Sequence, residues 1–460
     1  MQRIKLQQYI DSDALLCALE EPSQASIRIN HEKWKRQPMN AEPVPWCKDG
    51  FYLNSRPSFT ADPLFHSGCY YPQEASSMFL EQVFMQTIGS KEYSRVLDLC
   101  GAPGGKSTHL SALIGDRGFL VANEVIRTRA AILSENITKW GFGNTIVTNN
   151  DPSEFGNLKG YFDVILIDAP CSGEGMFRDP AALREWSPGN TLLCAQRQKR
   201  ILTDIWPALK EGGILIYSTC TFNPAENEEN VKWLTTKGTA ECLTLDIAQF
   251  KDIKVIDYQG IIGYGFYPGK IKGEGFFISA IRKTEKSEEN KIKNPKNPFK
   301  RLNKDGLLTA NTWTVFPDSN LISSGADIIS FAGNINDYII LSQNIKIIKG
   351  GTRLCSVKNK NLIPYHELAL STGLRKEVFC TAELDYNQAV SYLRRDNFIL
   401  PDAPKGWLIV TYKGVNLGFI NNIGKRINNY YPVEWRIRMS VPESGKEKIL
   451  KWLPDDKSIT

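Results

Sequence analysis

The chain has 460 residues, of which 42% are hydrophobic and 23% charged, with a net charge of +6. This is too long for one core and predicts two to four domains of ordinary globular composition. The absence of any run of eighteen apolar residues argues against a transmembrane helix, and ten cysteines without a C-x-x-C pair argue against a zinc site.

The opening segment MQRIKLQQYIDSDALLCALEEP lacks an apolar stretch followed by small residues. It reads as an amphipathic helix and not as a signal peptide, and with the unpaired-looking cysteines it suggests a reducing cytoplasm. Residues 1–90 read as a small α+β accessory or RNA-binding domain. From Tyr93 the pattern becomes strands alternating with helices. Strands are expected at 95–100, 118–124, 145–148, 162–168, 213–218 and 275–280, with helices over 127–140 and 192–209. Such alternation predicts an α/β domain over 91–283, with a mostly parallel, Rossmann-like sheet covered by helices on both faces. Residues 284–305, rich in Lys, Glu, Asn and Pro, read as a linker. Residues 306–375 read as a small mixed domain. Residues 376–460 read as a compact strand-rich domain with turns at Lys413-Gly414 and Ile423-Gly424.

The first predicted strand of the α/β domain runs into Cys100-Gly101-Ala102-Pro103-Gly104-Gly105-Lys106-Ser107. Clustered glycines at a strand-to-helix turn let backbone approach a ligand, and the following helix aims free N–H groups at it. A phosphate-binding P-loop would need glycine where Cys100 stands. Val164–Asp168 would suit an ATPase strand, so a nucleotide hydrolase stays in view. The dinucleotide fingerprint G-x-G-x-x-G is missing. S-adenosylmethionine asks for an acidic residue closing the second strand, to meet the ribose hydroxyls, and a polar one after the third, to meet adenine. Glu124 and Asp151 occupy those places.

Cys171, in Asp168-Ala169-Pro170-Cys171, and Cys220, in Ser218-Thr219-Cys220, follow the fourth and fifth predicted strands. Neighbouring strands lie about 4.8 Å apart, so both thiols can reach one substrate at the carboxyl edge of the sheet. Asn223-Pro224-Ala225-Glu226 predicts a helix start just past Cys220, where the helix N-terminus would favour a thiolate. With four histidines in the chain, histidine-based catalysis is poorly supplied. Thiolate addition to carbon 6 of a cytosine, which makes carbon 5 nucleophilic toward a sulfonium methyl group, needs what is present. Asp168 is the candidate carboxylate for N3, and the base would have to leave its stack. Chemistry alone leaves open which cysteine attacks.

LDLCGAPGGKSTHL (97–110), DAPCSGEGMFR (168–178) and YSTCTFNPAENEENV (217–231) resemble motifs of the Nol/Nop/Sun (Fmu) family of RNA cytosine-C5 methyltransferases. The likeness extends to SIRIN (26–30), YYPQEASSM (70–78) and GEGFF (273–277). It implies a class I methyltransferase fold, Cys220 as nucleophile, Cys171 assisting release of the methylated base, and cofactor contacts from residues 100–106, Glu124, Asp151 and Asp168. GVNLGF (414–419) and RINNYYP (426–432) are similar to a PUA-like RNA-binding extension found in bacterial members that act on small-subunit ribosomal RNA. Tyr267-Pro268-Gly269 departs from the Pro-His of many relatives.

Thirteen Lys or Arg against eight Asp or Glu lie between Arg375 and Lys451, a surplus suited to a polyanion. Trp407, Tyr412, Tyr430, Tyr431 and Trp435 interleave with Lys413, Lys425, Arg426, Arg436 and Arg438, a pattern suited to unpaired RNA. Arg178, Arg184 and Arg197 are further phosphate candidates. Removing the chain beyond about residue 375 is expected to weaken RNA binding more than cofactor binding. The competing assignments are the nucleotide hydrolase and a non-catalytic RNA-binding protein. The second of these needs neither motif cysteine. No metal and no membrane are implied, and the oligomeric state is not readable.

Overall fold

The structure, a computed structural model, describes residues 13–89, 93–236, 238–286, 296–299, 304–317, 320–358 and 361–454. The expected first helix is seen as Asp13–Glu20, and its part before residue 13 lies outside the described residues, as does much of the expected linker. No helix among the described residues is long and apolar enough to cross a membrane.

Strands β1 (Ser26–Ile29), β2 (Ala41–Pro43), β3 (Gly50–Leu53) and β4 (Tyr70–Pro72) form an antiparallel sheet in the order β2-β3-β1-β4. The central sheet follows. β5 (Ser94–Asp98), β6 (Gly118–Asn123), β7 (Thr145–Thr148), β8 (Phe162–Asp168) and β9 (Leu209–Thr219) are all parallel, ordered β7-β6-β5-β8-β9. Their sequences are short β-branched and apolar runs buried on both sides, as a helix-covered parallel sheet requires. Val96, Val164, Leu166, Ile214 and Ile216 face one core with Leu110, Leu133 and Ile137 of the helices Gly105–Ile114 and Arg127–Trp140. Leu97, Ile165, Ile167, Leu215 and Tyr217 face the other, with Ile201, Leu202 and Ile205 of the helix Pro188–Ile205. This period of two distributes the strand side chains between two helical layers. Beyond β9 the sheet turns antiparallel through β10 (Ala240–Cys242), β11 (Lys254–Tyr258), β12 (Ile261–Phe266) and β13 (Phe276–Lys283), with β13 pairing β9. The chain crosses over in opposite directions on the two sides of β5, which opens a crevice at the carboxyl ends of β5, β6, β8 and β9.

Residues 306–375 are not separate from this sheet. β14 (Leu321–Ser324), β15 (Asp327–Ser330), β17 (Thr352–Lys358) and β18 (Asn361–Pro364) make a small sheet of their own, but β16 (Ile347–Gly350) pairs antiparallel with β7 at the edge of the central one. Asp337, buried, accepts hydrogen bonds from Arg95 Nε (2.9 Å), Tyr161 OH (2.7 Å) and Tyr93 OH (3.1 Å). These partners lie about 240 and 176 residues away in sequence, so nothing local announces them.

The C-terminal strands β19 (Cys380–Glu383), β20 (Gly406–Tyr412), β21 (Val415–Asn422) and β22 (Ile427–Asn429) form one sheet in that order. The Lys413-Gly414 turn joins β20 to β21 with φ of 51° and 75°, the doubly left-handed turn that matches strand twist. This region does not stand alone. Ile27, Trp34, Phe51, Leu64 and Tyr70 of the N-terminal part share one core with Tyr386, Tyr392, Leu417, Tyr431 and Trp452. Backbone bonds from Met39 N to Lys451 O and Leu453 N to Gln37 O, each within 2.9 Å, stitch the two ends together. The truncation after residue 375 is therefore revised. Several aromatic side chains would lose their packing at about 1.5–3 kcal/mol each. We expect the unfolding midpoint to fall by roughly 10 °C or more, with loss of both ligands. Unchanged melting with RNA affinity alone lost would show an independent module.

Candidate active site

Arg28 on β1 fixes the N-terminal sheet to the crevice. It is fully buried, donates to Gln73 Oε1 (2.9 Å) and Thr108 Oγ1 (2.7 Å), and lies 4.4 Å from the centre of the Trp140 ring. Burial lowers its pKa to about 10. Thr108 sits in the helix that begins at Gly105, so this clamp positions the loop under which that helix starts.

The loop leaves β5 at Asp98. Gly101 donates its N–H to Asn123 O at 2.7 Å. A Cβ on Gly101 would come within 2.6 Å of Ser107 Oγ, so the turn admits only glycine there. Gly104 has φ +121°, a conformation that side chains avoid. Ala102 O and Pro103 O accept from Arg129 and Asn136 of the neighbouring helix. Cys100 is half-buried, and burial first, then the nearby carboxylates, raise its pKa. Asp98 was not singled out by its sequence. It is buried, accepts from Ser107 Oγ at 2.6 Å, and is pushed up to about 7 by desolvation. Its Oδ1 has no partner among the described residues. An acidic residue ending the strand before a glycine loop was the available signal.

Glu124 closes β6, 3% exposed, accepting Ile126 N–H through Oε1 (2.9 Å) with Arg129 3.5 Å from Oε2. Asp151 follows β7 and is more occupied. It caps the turn at 152–157, accepting from Ser153, and pairs with Arg200 at 2.9 Å. The Ser153 hydrogen bonds first, then Arg200, hold its carboxyl below the ordinary range. The expected cofactor fits this set: a buried acid with an orphaned oxygen, a glycine turn and a buried strand-end glutamate converge on one crevice.

Cys171 and Cys220 are brought together. Their Sγ atoms are 3.1 Å apart, and Cys220 N–H points to Cys171 Sγ at 3.3 Å. The hydrogen bond to Cys220, then burial, then negative neighbours hold the Cys171 pKa well above that of an ordinary thiol. Asp168, three residues before Cys171 at the end of β8, accepts from Ser218 Oγ (2.8 Å) and pairs with Lys106 Nζ (2.8 Å). Burial opposes the Lys106 charge, but Asp168, Cys220 and Asp98 outweigh it and raise its pKa. Lys106, expected only as part of the cofactor loop, thus links that loop to the segment that carries Cys171 and lies 5.0 Å from the Phe276 ring centre.

The segment after Cys220 differs from expectation. Asn223 Oδ1 does accept from Ala225 N–H, but the helix begins at Glu228, so no helix start lies immediately beside the thiol. Glu226 turns inward instead. It is fully buried and accepts from Ser172 N (2.9 Å), Ser172 Oγ and Gln198 Nε2 (3.1 Å), while Gln198 also holds Pro170 O. Burial raises its pKa. Its carboxyl clamps the two cysteine loops to each other across 54 residues, a role that sequence reads only as a capping glutamate. Tyr267 stacks on Phe222 at 5.3 Å and 12°.

Of the residues expected to meet RNA, Tyr412 and Tyr431 belong to the core at 4% and 0% exposure. They are packing residues and not platforms. Tyr430 stays exposed against half-buried Trp407, their centroids 4.4 Å apart. Arg178 is also structural, donating to Ala18 O, Gly273 O and Glu274. Arg184 and Arg197 are exposed.

The chain is similar to known proteins along most of its length. A family profile described as 16S rRNA methyltransferase RsmB/F matches residues 85–282. The N-terminal domain of 16S rRNA methyltransferase RsmF matches 1–75, and the methyltransferase RsmF PUA domain matches 380–437. Ribosomal RNA small subunit methyltransferase F of Enterobacter sp. (strain 638) is 32% identical over 461 residues, covering 94% of each chain. That of Salmonella agona (strain SL483) is 34% identical over 454 residues, covering 92% of each. The solved structure of NSun6 from Pyrococcus horikoshii with SFG shares the fold over 62% of this chain and 97% of its own, at a TM-score of 0.50 and 21% identity. With identity of this extent running from end to end, the chain belongs to the ribosomal RNA small subunit methyltransferase F family, whose methyl transfer depends on S-adenosylmethionine.

Proposed function

We propose that the protein methylates carbon 5 of a cytosine in small-subunit ribosomal RNA through a transient bond between Cys220 and carbon 6. The observation that carries this is the pair of sulfurs 3.1 Å apart beside the Lys106–Asp168 ion pair. S-adenosylmethionine, held by residues 100–106, Asp98, Glu124, Asp151 and Asp168, supplies an electrophilic methyl group. The Cys220 thiolate adds to carbon 6 of an extruded cytosine, and electron density moves to carbon 5. Lys106 and Asp168 share a proton with N3 and so offset the charge that develops on the ring. After transfer, a base removes the carbon-5 proton, the ring double bond reforms and Cys220 leaves as thiolate, with Cys171 serving that step.

In this reading residues 91–283 do the chemistry, 1–90 and 376–460 present the RNA, and the protein works in the cytoplasm where ribosomes are assembled. Incubation with methyl-labelled S-adenosylmethionine and small-subunit ribosomal RNA, followed by bisulfite mapping, should give one bisulfite-resistant cytosine. Label on a ribose or on another base would reject the proposal.

A further inference from the structure

On the outer side of the two cysteine loops lies a cleft of about 390 Å³, lined by Glu174, Phe177, Trp186, Thr191, Phe222 and Asn223 among others. That volume is at the small end of ligand-sized pockets, roughly 300–1,000 Å³. Both reactive loops build it. Phe222 and Asn223 come two and three residues after Cys220, and Glu174 comes three after Cys171. Gly175 N–H donates to Cys220 O at 2.9 Å, closing the loops on each other. Two residues of chain span at most about 7 Å, so the wall at Phe222 is one nucleotide's reach from the nucleophile.

We propose that this cleft receives the nucleobase adjoining the target cytosine, and that it selects a base with an exocyclic amino group. The inference rests on the RNA methyltransferase reading above. Three features carry it. The walls are aromatic and braced: Phe177 and Trp186 meet edge to face at 5.6 Å and 86°, and Phe222 is backed by the stacked Tyr267. Faces of this kind stack unpaired bases. The floor carries a carboxylate with capacity left over. Glu174 Oε1 accepts from Trp186 Nε1 and Asn223 Nδ2, each at 3.2 Å, while Oε2 has no donor among the described residues. A carboxylate reads a base through an amino group, which adenine, guanine and cytosine have and uracil lacks. The lip is apolar and open: Leu192 lines the cleft while 61% exposed. The cleft is continuous with the loops that hold the reacting base, so its occupant is the same RNA strand.

The test begins with the mapped cytosine. Transcripts of small-subunit ribosomal RNA are made with each neighbour in turn changed to uridine, and kcat/KM is measured with wild-type, Trp186→Ala and Glu174→Gln enzyme. One neighbour should matter: uridine there should lower wild-type kcat/KM about tenfold. Trp186→Ala should lose about as much with the native transcript and show no further dependence on that neighbour. Glu174→Gln should discriminate less against uridine. Wild-type kcat/KM unchanged by both uridine substitutions would overturn the proposal, as would uridine on both sides of the natural target. Neighbour dependence surviving in Trp186→Ala would do the same, because it would then come from the RNA's own fold. S-adenosylmethionine binding by each variant checks folding, and the wild-type comparison decides the question even where a variant fails. Absence of any methylated cytosine defeats the preceding proposal, whereas methylation indifferent to neighbours defeats only this one.

Discussion

Cys220→Ala is expected to lower methyl transfer about 10⁴-fold or more while leaving S-adenosylmethionine affinity within about twofold. Carbon 5 of cytosine does not attack a methyl donor unless carbon 6 has first been loaded with a nucleophile, so removing the sulfur removes a step and not an increment of binding. The cofactor residues are spared, because Glu124 and the glycine loop take their places from bonds to Ile126, Arg129, Asn123 and Asn136, none of which involves residue 220. Cys171 is the thiol placed to substitute, at 3.1 Å. Its hydrogen bond to the Cys220 sulfur disappears in the variant, which removes the first cause of its high pKa. Residual activity in Cys220→Ala should therefore vanish in the double variant Cys171→Ala/Cys220→Ala. The measurement is single-turnover transfer of labelled methyl to ribosomal RNA alongside equilibrium binding of the cofactor. Turnover at the wild-type rate would remove Cys220 from the reaction.

The central sheet was legible because its signal is local. Each of β5 to β9 is an apolar run bounded by glycine or polar residues, and the helix Arg127–Trp140 begins and ends where its pattern does. The pairing of Cys171 with Cys220 was legible for a related reason: parallel neighbours end at the same edge, so residues just past two adjacent strands must be near each other. What stayed hidden depends on partners far along the chain. β16 is four residues long and joins β7 across about two hundred residues, and its sequence, Ile-Ile-Lys-Gly, would serve any sheet. Tyr412 and Tyr431 looked like RNA platforms because an aromatic beside a lysine or arginine has the same sequence whether it faces solvent or the N-terminal sheet. Glu226 was visible as an acid in a helix-start pattern, but its function depends on Ser172 and Gln198 arriving from two other segments.

Cys171→Ala is expected to trap the enzyme on its RNA. The argument turns on how the two sulfurs influence each other. In the free protein the hydrogen bond to Cys220, then burial, then Cys220 and Glu226 as neighbours hold the Cys171 pKa above that of an ordinary thiol. Once Cys220 is bonded to carbon 6 it is a neutral thioether. The hydrogen bond to Cys220, first among the causes of the high Cys171 pKa, is then weakened, so Cys171 can give its proton to solvent and, as thiolate, take the carbon-5 proton while the ring double bond reforms and Cys220 leaves as thiolate. The alanine variant forms the adduct normally and accepts the methyl group, but lacks the group placed to complete elimination. A denaturing gel of enzyme mixed with ribosomal RNA and S-adenosylmethionine should show a slow band absent from wild type, with turnover lower by about 10²–10⁴-fold. Cys171→Ser should give less of that band, since a hydroxyl in the same place can relay a proton to water. If Cys171→Ala releases methylated RNA as fast as wild type and no slow band forms, elimination relies on another base, and the close approach of the two sulfurs serves packing alone.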